Sequence, residues 1–142
     1  MSEAITNPLG FGGYTDLATL CEPRIRSFRA GGTVTALEAV YAGTNLRVAQ
    51  AATDCTATKV VGIALDSATS GGIVRVVVWG PVEGVAISGS VTEGQPLKRS
   101  VTTSGRVAAT ATPGVGEMLG WAIAAGSGAN GTVSIFVEKA GA

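Results

Sequence analysis

The chain has 142 residues, ten basic and ten acidic side chains and no histidine. That length fits one domain, and the balanced charge leaves no polybasic footprint for nucleic acid. The missing imidazole excludes serine, cysteine and metal chemistry that relies on it. No run approaches the roughly 20 apolar residues that span a bilayer, and no basic stretch followed by an apolar one opens the chain. These features predict a protein that is soluble and not exported by the usual signal.

Met1 to Tyr14 places Pro8, Gly10, Gly12 and Gly13 within six positions, too much backbone freedom for a regular element. It reads either as a loose tail or as an arm whose rings, Phe11 and Tyr14, dock on a neighbour. Thr15 to Glu22 has a hydroxyl cap and an early Asp16, enough for a helical turn or two that Pro23 would end. Residues 1–23 are therefore assigned to an N-terminal arm and residues 24–142 to a β-domain.

From Arg24 the period changes to two. Arg24, Arg26 and Ser27 alternate with Ile25 and Phe28, predicting a half-exposed strand that ends at Gly31-Gly32. Arg24, Arg26 and Arg29 are either a solvated face or a contact for an acidic partner. Thr33 to Tyr41 and Leu46 to Ala51 bracket a hairpin loop at Ala42 to Asn45. Pro96 to Thr102 and Arg106 to Thr110 bracket a second at Thr103 to Gly105.

The most strand-like stretch is KVVGIALDSATSGGIVRVVVWGPV, Lys59 to Val82. A weaker copy, GEMLGWAIAAGSGANGTVSIFVEK, runs from Gly116 to Lys139. Val74, Val76 and Val78 precede Val133, Ile135 and Val137 by 59 positions, and Gly62 precedes Gly120 by 58. This drift of a residue or so predicts two duplicated halves, about 33–82 and 91–139, sharing one barrel or sandwich. Transfer between the copies makes Val74, Val76 and Val78 core, with Arg75, Val77 and Trp79 outward; the competing assignment buries Ile73, Val77 and Trp79 and leaves Arg75 reaching the rim. An outward Trp79 marks an interface. In VVGIAL and MLGWAI the large face (Val61, Ile63, Leu65; Leu119, Trp121, Ile123) is expected inside. The Gly/Ala face either admits another backbone or marks a bulge.

Cys21 and Cys55 have no metal spacing and read as small buried hydrophobes, with a bridge between them left open. The acidic residues do not cluster, and Gly10-Phe11-Gly12-Gly13 lacks the lysine and the preceding strand of a phosphate loop. No catalytic, cofactor-binding or metal residue is predicted, and no cofactor. With only seven aromatic residues among abundant Ala and Gly, the core is lean, which points to stability shared with other subunits.

The hairpin before Val48-Ala49-Gln50-Ala51, the Val61-Gly62-Ile63-Ala64 strand, the Gly72 to Val82 run, and the Gly94-Gln95-Pro96-Leu97 and Leu119-Gly120-Trp121-Ala122 echoes together resemble the head decoration, or capsid cement, proteins of tailed phages. The resemblance covers about Arg24 to Lys139. It implies a small all-β barrel on the outer surface of the phage head, bound to major capsid protein, commonly as a homotrimer, with neither nucleic acid nor membrane as partner. The arm before Arg24 is longer than the family's usual start. The interface residues expected on this reading are Phe11, Tyr14, Arg24, Arg26, Phe28 and Trp79. Two rivals are a carbohydrate- or receptor-binding β-module of a virion and a trimeric β-barrel nucleotide hydrolase, although no Asp-containing signature follows a strand.

Overall fold

The computed structural model describes residues 22–128 and 131–139. The arm over residues 1–14, the helical turn proposed after it up to Cys21, and any Cys21–Cys55 bridge lie outside the described residues. Among the described residues there is no α-helix. Nine strands form one antiparallel sheet: β1 (Arg24–Arg29), β2 (Ala39–Ala42), β3 (Val48–Gln50), β4 (Val60–Ala64), β5 (Ile73–Ala86), β6 (Pro96–Arg99), β7 (Val107–Ala109), β8 (Gly120–Ala122) and β9 (Thr132–Glu138). The all-β prediction therefore holds.

The sheet path runs β3-β2-β4-β5-β9-β8-β6-β7, with β1 pairing β5 off that path. β5 is the spine, 14 residues long. Its first part carries β1 on one side and β4 on the other, and its last part pairs with β9. Gly80 (φ 113°) and Gly84 (φ 75°) supply the backbone freedom where the strand bends and the register with β9 slips. The sequence reading closed this strand at Val82, but Gly80-Pro81 does not end it. Pro81 is tolerated because proline removes only one donor from the ladder.

Each end of the sheet curls on itself. A parallel bridge from Ala30 to Val48 brings the end of β1 to β3, and one from Ile87 to Val107 brings the end of β5 to β7. Antiparallel bridges Val34–Ala68 and Val91–Gly126 pin the loops at matching places. The backbone hydrogen bonds match as well: Leu65 N–H donates to the Arg75 carbonyl at 2.8 Å and Ile123 N–H to that of Ser134 at 2.9 Å. Residues 24–79 thus form a first curl and residues 81–138 a second, with β5 belonging to both.

Burial follows the curls. Ala30, Val34, Val40, Val48, Ala64, Val74 and Val76 form a core inside the first curl. The corresponding residues of the second, including Val91, Leu97, Val107, Ala122, Val133 and Ile135, join Val60, Ile63, Val77 and Val82 in a larger core between and within the two. Two orientations differ from the sequence reading. Val77, expected outward, is buried, while Val78 is half-buried. The reason is that β5 is covered on both faces: Val74 and Val76 point into the first curl, and Val77 into the joint core. Alternation sets which face a side chain takes, but says nothing about whether a face is dry.

The second difference is Trp121, expected inside and found half-exposed, while Ala122 on the small face is buried. Gly62 and Gly120 have the same role in their curls. A Cβ on either would run into the carbonyl oxygen of its strand neighbour, Val77 or Phe136. The backbone that approaches the glycine stripe is therefore the adjacent strand itself.

Candidate interaction surface

A row of aromatic rings crosses the outer face where β5, β9 and β8 lie side by side. The register sets Trp121 opposite Phe136 and Trp79 opposite Glu138. Phe136 sits between the two indoles, edge-on to Trp79 with centroids 5.0 Å apart and stacked on Trp121 at 5.3 Å with planes 12° apart. Such pairs contribute roughly 0.5–1.5 kcal/mol each beyond the area they bury. Phe136 is only 7% exposed, and the two tryptophans that cover it are half-exposed. Trp121 Nε1 donates to Glu138 Oε1 at 3.3 Å, so its polar edge is satisfied within the row.

The described start of the chain lies against this row. Pro23 is pressed on Gly80, where a Cβ would come within 2.6 Å of the proline Cα, and the guanidinium carbon of Arg24 stands 5.6 Å from the Trp79 ring centroid. A cation over an indole face is favourable by about 0.5–1 kcal/mol at an exposed site. Two of the predicted interface residues, Arg24 and Trp79, are thereby brought together.

The others are not part of this cluster. Arg26 pairs with Val76 and Phe28 with Val74, which puts both on the opposite face of β1. Phe28 is half-buried against the first curl's core, and Arg26 is exposed. Arg29 donates to the Gly71 carbonyl at 2.7 Å and so ties β1 to the β4–β5 turn. Phe11 and Tyr14 lie outside the described residues. Trp121 was missed as a surface residue, and Phe136, although alternation set it on the outer face of β9, was not joined to the expected interface. The available signal was that Phe136 falls on the face opposite Val133, Ile135 and Val137.

Two other surface features are smaller. A shallow groove of about 280 Å³ at the β2–β3 hairpin is lined by Gly31, Tyr41, Gly43, Thr44, Asn45, Arg47 and Ala49. Asn45 (φ 58°) and Leu46 (φ 59°) at its rim take the left-handed conformation, and the Leu46 side chain is 78% exposed. On the first curl, Asp66 accepts from the Arg75 backbone N–H, Nε and Nη2 at 2.8–3.0 Å. These bonds hold its carboxyl at about 2, below the usual carboxylate range.

Between the curls, two cations reach backbone carbonyls. Lys139 Nζ donates to Ala57 O at 3.0 Å and Gly116 O at 2.7 Å, and burial pushes its pKa down. Arg99 Nη1 donates to the Thr53 carbonyl, and its Nε is buried without a partner. Burial, more than any neighbouring charge, raises the Cys55 thiol. Among the described residues no three histidine, cysteine or carboxylate side chains converge as metal ligands would.

Neither a protein-family model nor a curated protein sequence matches the chain. Among solved structures the fold is similar to one titled the crystal structure of head fiber gp8.5 N base in bacteriophage phi29. The two share 15% identity and a TM-score of 0.54 over 82% of this chain and 94% of that one. The class defined at this point is a doubly curled all-β domain. The phi29 head fiber base is a particular protein of similar fold.

Proposed function

We propose that this protein is a structural component of a tailed-phage head, carried on its outer surface, where it binds major capsid protein as a homotrimer and strengthens the shell. The observation that carries this reading is the fold similarity to the phage head fiber base, which spans 94% of that chain. Two surface features support it. Among the described residues Arg24–Arg29 forms an outer strand with exposed arginines, paired on one side only by β5. Such an edge can meet another chain while its charges oppose indiscriminate strand pairing. The aromatic row is the kind of apolar patch that marks an interface on a soluble domain. A shell presents many identical sites, so modest contacts repeated over an oligomer add through avidity.

The test is co-sedimentation of the purified full chain with expanded heads of the phage that carries its gene, together with thermal release of DNA from those heads. Saturable binding at a fixed ratio to major capsid protein and a higher release temperature are expected. Arg26→Glu, a charge reversal on the exposed edge away from the aromatic row, should weaken binding several-fold and leave the fold intact. Heads that neither bind the chain nor gain heat resistance would overturn the proposal. The half-exposed tryptophans favour one second reading, a glycan-binding module of a virion. Retention on a carbohydrate array, abolished by Trp121→Ala, would select it.

A further inference from the structure

Both tryptophans of the protein, Trp79 and Trp121, lie on one face of the sheet. At the matching register of the first curl stand Ile63 and Val77, which are fully buried. Trp121 and Phe136 carry more apolar area than those two residues, yet Trp121, like Trp79, is only half-buried. We propose that this face is a docking site for the chain's own residues 1–21, laid across the Trp79–Phe136–Trp121 row in the same molecule.

Three observations select this occupant over any other. The first is position: Pro23 is seated on Gly80 and Arg24 over Trp79, so residues 1–21 are tethered to this face through Glu22. Tyr14 is nine residues from Pro23, a reach of up to roughly 30 Å in extended backbone. The row itself spans two centroid steps of 5.0 and 5.3 Å, so the tether is long enough to cross it. The second is composition. Residues 1–21 contain Phe11, Tyr14, Leu17 and Leu20, four large apolar side chains in ten positions. The third is charge: the segment carries Glu3 and Asp16 and no lysine or arginine, whereas Arg24 stands over Trp79 at the β1 end of the row. An acidic apolar segment and an aromatic face entered past Arg24 are complementary, since the acid of the row, Glu138, already accepts from the Trp121 indole. Intramolecular docking also needs no strong affinity, because a short tether supplies an effective concentration in the millimolar range.

The inference does not depend on the phage-head reading, since it concerns the isolated protein and is tested without heads. Every tryptophan lies on the proposed site, so intrinsic fluorescence reads that site alone. In the full chain, tryptophan emission should be blue-shifted and acrylamide quenching low, with both unchanged on hundred-fold dilution. Phe11→Ser with Tyr14→Ser should red-shift the emission and raise the quenching constant by about two-fold, because the rings lose the cover of their outer face. In the reciprocal experiment, Trp121→Ala should speed chymotryptic cleavage after Phe11 and Tyr14 while the remaining chain stays resistant. Identical quenching in the full chain and the double variant would overturn the proposal. So would protection that disappears on dilution, which would make a second copy the occupant, and so would cleavage rates that Trp121→Ala leaves unmoved.

Discussion

In the first curl Ile63 and Val77 turn away from their own small core and are buried in the joint one. In the second, at the matching register, Trp121 and Phe136 turn the same way and, among the described residues, meet no further curl. The backbone pairings are the same, from the Gly62 and Gly120 crossings to the bridges at Val34–Ala68 and Val91–Gly126. The side chains on the outer face differ: aliphatic where a neighbouring curl covers it, aromatic where Trp121 stays half-buried over a buried Phe136. The comparison teaches that the hydrogen-bond frame and the small core inside each curl define the architecture. The outer face of each curl is where the two diverge in use.

The largest effects should come from the glycines that the frame requires. Gly62→Ala and Gly120→Ala each force a Cβ onto a neighbouring strand's carbonyl oxygen. Overpacking of this kind costs about 3 kcal/mol, the upper part of its usual range, because the obstacle is backbone. Urea denaturation should show similar losses for the two variants. A loss confined to one of them would break the equivalence of the curls. Ile63→Ala should come next, at about 3 kcal/mol for a fully buried aliphatic side chain. A loss well below 1 kcal/mol would mean that the joint core closes around the gap.

Much of this frame was legible in the chain. The spacing of Gly62 and Gly120, and of the valines that follow each, located β4, β5, β8 and β9, and the loop residues located the two hairpins. What was not legible was cover. Val77 and Trp121 were assigned to the wrong environments because alternation tells two faces apart but does not say which of them another layer will bury. β5 escaped full recognition for a related reason. Its last part, Pro81–Ala86, takes the same place in the second curl as Arg24–Arg29 in the first, yet one segment is largely apolar and the other rich in arginine. Equivalent backbone positions with unequal exposure share little sequence. The partners of Arg99 and Lys139 were equally hidden, since backbone carbonyls leave no side-chain signature.

Those two cations offer a smaller perturbation, aimed at the seam between the curls. Lys139, just past β9, joins the turn at Ala57 in the first curl to the loop at Gly116 in the second. Lys139→Met keeps the stem and removes two hydrogen bonds, for a loss of about 1–2 kcal/mol. Hydrogen exchange should quicken at the Ala57 turn and around Gly116, leaving the bridge at Val34–Ala68 unchanged. Uniform acceleration across both curls would show that the seam and the curls unfold as one unit.

The smallest effect separates the curls by pH. In the first, Asp66 and Arg75 brace the β4–β5 turn. In the second, Ser134 replaces the arginine and Ala124 stands near the aspartate's place, so the corresponding turn has no charge. Hydrogen bonds from Arg75 set the Asp66 carboxyl at about 2 in the folded chain against an ordinary 3.8. The folded state therefore binds this proton more weakly than the unfolded state does. The stabilisation is fully present above the ordinary value and is lost as pH falls towards and through about 2. Because the pair is exposed, solvent screens it and the effect is small. Amide exchange in the β4–β5 turn should accelerate between pH 4 and pH 2 relative to the β8–β9 turn, once corrected for intrinsic rates. Asp66→Asn should bring the two turns onto the same pH dependence. If the wild-type turns already respond alike, the ion pair does nothing to distinguish the curls, and their difference rests on the aromatic face alone.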